Sequence, residues 1–153
     1  MKRLTTIGFF LLTAAAAIAE PAASPTTPVT PAATPSELHA AQCVAALEVS
    51  TESLAAQVKA GQDDARAPLQ SRVEAGTAFV GDAYLKGTRD EARAKALANK
   101  ALEDQKSLPA AELAARQDAC ADEGQKLMAA SNSFERAIVR QVAKKRMAKL
   151  LAG

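Results

Sequence analysis

Residues 36–60 read SELHAAQCVAALEVSTESLAAQVKA, and this stretch decides the fold class. Its larger apolar residues and one serine recur every three or four positions, the period of one face of an α-helix. They are Cys43, Leu47, Ser50, Leu54 and Val58. Ser36, which follows a proline, is predicted as the N-cap, and Gly61 is predicted to end the helix. The sequence therefore predicts a first amphipathic helix with Cys43 on its inward face.

Two further helices are predicted downstream of Gly61. The apolar face of the second consists of Leu69, Val73, Gly76, Val80 and Ala83 or Tyr84, and Gly87 should end it. The third should begin with a capping box in which Thr88 is the N-cap and Glu91 the reciprocal acid. Because it has few large apolar residues, we expect it to be the least buried helix.

A fourth helical segment opens at residues 107–109 and has a second cysteine on its apolar face. That face consists of Leu113, Gln117, Cys120, Gly124 and Leu127. It can be continued through Ser131, Phe134 and Ile138, yet Asn132 and Glu135 also form a capping-box signal. The pattern allows one long helix or two. Since strand-forming residues are sparse, the sequence predicts an all-α bundle of four or five helices over residues 36–151.

Cys43 and Cys120 are the two cysteines of the chain. An even count in an exported protein favours a disulfide, and both residues lie on inward faces. Two free buried thiols and an intermolecular bridge are the alternatives. The expected fold is a helical bundle cross-linked by this disulfide. The bond should contribute to stability because the apolar core is built mainly from Leu, Val and Ala.

The N-terminus has the pattern of a secretory signal peptide. Lys2 and Arg3 precede an apolar stretch over residues 7–16, and Ala17 and Ala19 are the small residues that signal peptidase requires. Residues 1–19 are therefore predicted to be a signal peptide, and the protein to be periplasmic or secreted. Residues 20–35 contain five of the seven prolines and are predicted to be a disordered leader.

The charge of the chain is concentrated at its C-terminal end. The full chain has 19 basic and 17 acidic side chains, so the loss of Lys2 and Arg3 leaves 17 of each. Residues 133–153 contain six cations against Glu135 alone. The candidate residues for binding an anionic partner are Arg136, Arg140, Lys144, Lys145, Arg146 and Lys149. The alternative is that these cations serve the helix dipole. Phe134, Ile138 and Val142 form one apolar stripe of this helix and are expected to have a structural role.

The sequence offers little for catalysis or cofactor binding. It contains no P-loop, G-x-G-x-x-G, G-x-S-x-G or C-x-x-C motif. His39, the single histidine, shares a helical face with Cys43, but a zinc site needs about four ligands and a free thiolate. We therefore expect no catalytic residues, no metal site and no cofactor. Nucleic-acid binding is disfavoured because aromatic residues for stacking are few.

These observations favour a non-catalytic, exported interaction protein with a protein partner in the cell envelope: an adaptor, an inhibitor or a chaperone-like binder. One alternative is a peripheral binder of anionic membrane or polymer surfaces that uses the basic C-terminal helix. The other alternative is an enzyme whose catalytic residues form none of the familiar sequence motifs.

Overall fold

A computed structural model describes residues 32–87 and 90–153. Within these ranges the chain forms five α-helices and one short 3₁₀-helix, with no strand. The α-helices are α1 (Pro35–Lys59), α2 (Arg66–Leu85), α3 (Glu91–Lys106), α4 (Ala110–Ala130) and α5 (Ser133–Ala152), and the 3₁₀-helix is Asp63–Ala65. The predicted all-α bundle is confirmed, with five helices. The predicted signal peptide, and the predicted leader up to residue 31, lie outside the described residues.

The first helix begins two residues before the predicted start. Thr34, not Ser36, is the N-cap: its hydroxyl accepts a hydrogen bond from the Glu37 amide at 3.2 Å, and its own amide donates to the Glu37 carboxylate at 2.8 Å. Pro35 then fits the first helical position, where no amide hydrogen is needed. The hydrogen bond from the Thr34 backbone lowers the pKa of Glu37 below its ordinary value, with a smaller contribution from Arg93. Gly61, at φ +87°, follows the helix end as predicted.

The third helix also has a different N-cap from the one predicted. Asp90 accepts a hydrogen bond from the Arg93 amide at 3.0 Å and caps α3, whereas Thr88 lies outside the described residues. A short acidic side chain directly before the helix replaces the expected capping box. In α3, Ala101 and Gln105 are the buried residues, and α5 likewise buries only two, so these two helices share the low burial predicted for α3 alone.

The sequence allowed residues 110–151 to form one long helix or two, and the structure shows a break between two helices. Ser131 and Asn132 both have extended backbone conformations, which interrupts the helical hydrogen bonding. Asn132 accepts from the Glu135 amide at 2.9 Å, and Glu135 accepts from the Asn132 amide at 3.0 Å. The predicted capping box is therefore present, and α4 and α5 are separate helices.

The core is made of three buried clusters, and the one that contains the cysteines lies where α1, α2 and α4 meet. Cys43 and Leu47 of α1, Ala75 and Phe79 of α2, and Cys120 of α4 form one buried cluster. The predicted face of α1 is confirmed, with Leu54 half-buried and its other members buried. In the second half of α2 the predicted face is wrong at Val80 and Tyr84, whereas Ala83, the alternative to Tyr84, is half-buried. Val80 and Tyr84 are 53% and 59% exposed, because the helix turns Ala78 and Phe79 inward instead.

The predicted disulfide is present between α1 and α4. Cys43 and Cys120 are joined across 77 residues of sequence, with their Cα atoms 5.2 Å apart. The alternatives of free thiols or an intermolecular bridge do not apply to this structure. None of the helices in the described ranges has an apolar stretch long enough to cross a bilayer.

Candidate functional site

Helix α5 presents an apolar stripe to solvent. Phe134 is 72% exposed, and Ile138 and Val142 are each 47% exposed. These residues follow one another at intervals of four, so they lie along one side of the helix. The expectation that they pack structurally is wrong. The buried side of α5 is instead formed by Val139 and Ala143, which contact α2 and its neighbours.

The sequence of α5 does not show a single apolar face, because the helix has two apolar sides. A surface helix needs only one apolar face to pack on its own domain. Val139 and Ala143 provide that face, with Met147, Leu150 and Leu151 partly buried beside the core. The stripe of Phe134, Ile138 and Val142 is therefore apolar surface beyond what folding requires.

The structure divides the six candidate cations into two groups. Arg136 donates to the carbonyl oxygen of Ser131, and Arg146 pairs with Glu48 of α1 at 2.9 Å. Both are half-buried and contribute to holding α5 in place. The other four are exposed and form no ion pair with any residue in 32–87 or 90–153. They are Arg140, Lys144, Lys145 and Lys149.

The helix dipole accounts for only part of this exposed charge. Its effect fades within the last turn of a helix, and Lys149 is the basic residue in the last turn of α5. Arg140 and Lys144 lie one turn or more before it. Their charges are therefore free to act on a partner. They follow Ile138 and Val142 by two positions and so lie on a different side of α5, whereas Lys145 and Lys149 continue the side of the apolar stripe.

An apolar groove lies between α2 and α3, with α1 as its floor. It has a volume of about 350 Å³. Its lining is apolar apart from Glu37, Glu91 and the hydroxyl of Tyr84; the principal side chains are Val44, Phe79, Val80, Tyr84 and Leu97. Grooves of this shape are typical of sites that take an apolar helix or peptide. No contact within the described residues identifies an occupant.

A second cluster surrounds the disulfide. His39 of α1 contacts the Glu123 carboxylate of α4, with His39 Nε2 and Glu123 Oε2 separated by 2.8 Å. His39 Nε2 also lies 3.9 Å from Cys43 Sγ, and the ring packs edge-on against Phe79. The helical pattern of the sequence indicates no partner for His39 on α4. The signal that could have found Glu123 is its spacing of three residues from Cys120, which places both on one face of α4.

Comparison with known proteins finds no matching family, no similar curated protein and no similar solved structure. In its described part the chain is a disulfide-linked bundle of five helices, whose last helix has an exposed apolar stripe and four cations with no ion-pair partner among the described residues.

Proposed function

We propose that the protein is an exported, non-catalytic binding protein that docks peripherally on an anionic lipid bilayer through α5. The observation that carries this proposal is the exposure of Phe134, Ile138 and Val142 on the side of α5 that also bears Lys145 and Lys149, two cations without an ion-pair partner in the described ranges. Apolar side chains on such a helix enter the boundary between headgroups and acyl chains, and the cations contact the anionic headgroups.

The distribution of charge supports a bilayer over a second copy of this chain. A parallel pairing of two α5 stripes would bring Lys145 and Lys149 of each copy close to like charges, which is unfavourable, and an antiparallel pairing would leave these lysines beyond the partner's stripe. Against a bilayer, the same lysines extend their methylene chains along the apolar surface while the ammonium groups reach the headgroups. The stripe and the cations then act together.

Export is part of the proposal, and the signal pattern of residues 1–19 together with the Cys43–Cys120 disulfide supports it. The protein recovered from the envelope fraction should begin at Glu20, which intact-mass measurement will show. Recovery of exported protein that retains Met1 would contradict this part.

Sedimentation with lipid vesicles tests the docking surface. The disulfide-bonded chain should bind vesicles that contain phosphatidylglycerol, should bind neutral phosphatidylcholine vesicles weakly, and should lose affinity as salt increases. Replacing both Lys145 and Lys149 by Gln should weaken binding about 30-fold at low salt, since each cation near the surface contributes about 1 kcal/mol. The matched control, Lys95→Gln with Lys126→Gln, removes the same charge from α3 and α4 and should have a smaller effect.

The apolar part of the surface needs its own variant. Phe134→Gln with Ile138→Gln should reduce binding about tenfold without lowering the melting temperature, because these side chains are exposed. Val80→Gln, on the exposed side of α2, is the control and should bind normally. Vesicle binding that depends on the cations but not on Phe134 and Ile138 would contradict docking through the apolar stripe, because attraction to the headgroups alone would account for it.

A further inference from the structure

We propose that the dithiol form of this protein contains a zinc site built from His39, Cys43, Cys120 and Glu123. In the disulfide form the two sulfurs are bonded to each other and cannot serve as thiolate ligands. Reduction of the bond adds the two ligands that a closed site needs, at a position where an imidazole and a carboxylate already meet.

The ligand set fits zinc in number and kind. Structural zinc sites take four ligands from cysteine sulfur, histidine nitrogen and carboxylate oxygen in a tetrahedron. His39 and Cys43 are four residues apart on α1, and Cys120 and Glu123 are three residues apart on α4. Each pair therefore lies on one helical face, and the disulfide shows that the two faces oppose each other.

The distances also fit a tetrahedral site. Bonds of about 2.0–2.3 Å to zinc place ligand atoms about 3.3–3.8 Å from one another. The donor atoms of His39, Cys43 and Glu123 all lie within 4.8 Å of one another, and His39 Nε2 is 3.9 Å from Cys43 Sγ. Side-chain rotations are sufficient to complete the geometry, because the Cα atoms of the two cysteines are only 5.2 Å apart.

The surroundings provide both enclosure and access. Cys43 and Cys120 are buried, at 1% and 4% exposure. The side chains of His39 and Glu123 are about half exposed, at 53% and 45%, and give the ion a path from solvent. Phe79 packs against the imidazole edge and restricts its orientation.

The disulfide is converted into a zinc site in two steps, reduction and then metal binding. A dithiol reductant transfers two electrons and two protons to the Cys43–Cys120 bond, so that two thiols form while the reductant becomes a disulfide. Zn²⁺ then displaces the two thiol protons and binds both thiolates, the neutral imidazole and the carboxylate. In both forms of the protein, α1 and α4 are cross-linked at the same place.

Metal titration of the full mature chain tests this site. After reduction by a phosphine and removal of the phosphine under anaerobic conditions, the chain should bind one Zn²⁺ with a dissociation constant below about 0.1 µM. Co²⁺ in its place should give thiolate charge-transfer bands and the absorption of a tetrahedral ion. The disulfide form should bind neither ion at this affinity, and equal binding to both forms would overturn the proposal.

Variants separate a four-ligand site from binding by thiolates alone. His39→Ala and Glu123→Gln should each weaken zinc binding by more than about tenfold, since even outer-shell partners of zinc ligands contribute that much. Asp122→Asn, on the exposed neighbour of Glu123, is the control and should leave affinity unchanged. Unchanged affinity in both His39→Ala and Glu123→Gln would overturn the proposal.

If reduction of the disulfide partly unfolds the protein, the helical signal in circular dichroism can be followed as zinc is added. Zinc should then restore the helical signal of the reduced wild type and fail to restore that of His39→Ala. Equal recovery in both proteins would also overturn the four-ligand site, because thiolates alone would account for it.

Discussion

Gly124 of α4 lies directly against Ala75 of α2: a Cβ atom placed on Gly124 would be 2.6 Å from the Ala75 Cβ and 2.9 Å from its carbonyl oxygen. Contacts of that length do not occur between real side chains, so the two helices cross with no room for a methyl group. Gly124 follows Cys120 by one turn of α4, so this close approach lies beside the disulfide.

Gly124→Ala should therefore destabilise the fold by about 2 kcal/mol, since overpacking outweighs the gain in helix propensity. Urea unfolding of the disulfide form will measure it. The matched control is Gly81→Ala on α2, where the nearest atom to the new Cβ is Val139 Cγ2 at 4.0 Å. That change should stabilise by about 0.5–1 kcal/mol, and equal losses in both variants would contradict the steric argument.

Loss of the disulfide should lower stability substantially. The bond closes a loop across 77 residues of sequence, and the chain-entropy relation gives about 4 kcal/mol for a loop of this size. Cys43→Ala with Cys120→Ala, compared with wild type by urea unfolding in a metal-free buffer containing a chelator, will show it. A loss below about 1 kcal/mol would mean that the unfolded chain is already compact, because the bond would then restrict little.

Gln105 should be replaceable with a gain in stability. It is fully buried, and its side-chain nitrogen and oxygen have no hydrogen-bond partner among the described residues. Gln105→Met keeps the volume and removes the unpaired polar atoms, so it should stabilise by about 1–2 kcal/mol. Gln42→Met, on the exposed side of α1, should change stability by less than about 0.5 kcal/mol. A loss at Gln105 would reveal a polar partner for its amide.

Glu37 makes the N-terminus of α1 sensitive to acid. Its pKa is lowered in the folded state, chiefly by the hydrogen bond from the Thr34 backbone. Its stabilising effect is therefore complete above the ordinary pKa of 4.5 and is lost as the pH falls through the lowered value.

Thermal melts across this pH range check the effect. The difference between wild type and Glu37→Gln should be largest near neutral pH and should shrink in acid. Glu52→Gln, on the exposed side of the same helix, controls for the loss of charge itself. A difference that grows in acid would contradict the assignment.

The sequence predicts those features that depend on neighbours along the chain. The face of α1, the glycine after it, the Asn132 capping box and the pairing of Cys43 with Cys120 follow from local spacing and from the inward position of both cysteines. The capping residue Thr34 was missed because Ser36 offers the same chemistry two positions later. Here Pro35, which favours the first helical position, decides between them.

Features that depend on how helices pack were not predicted. The two apolar sides of α5 have similar periods, and only contact with α2 shows that Val139 and Ala143 face inward while Phe134 and Ile138 face solvent. The meeting of His39 with Glu123 depends on the crossing of α1 and α4, which the spacing within either helix does not specify.

The disulfide turns residues 43–120 into a closed covalent ring that includes most of α1, all of α2 and α3, and the first half of α4. Helix α5 is a tail outside that ring, and in the described ranges Val139 and Ala143 are its buried residues. The cost of opening the tail is thus separate from the cost of opening the ring. Amide hydrogens of α5 should therefore exchange before those of α2, which lies wholly within the ring and has six buried residues.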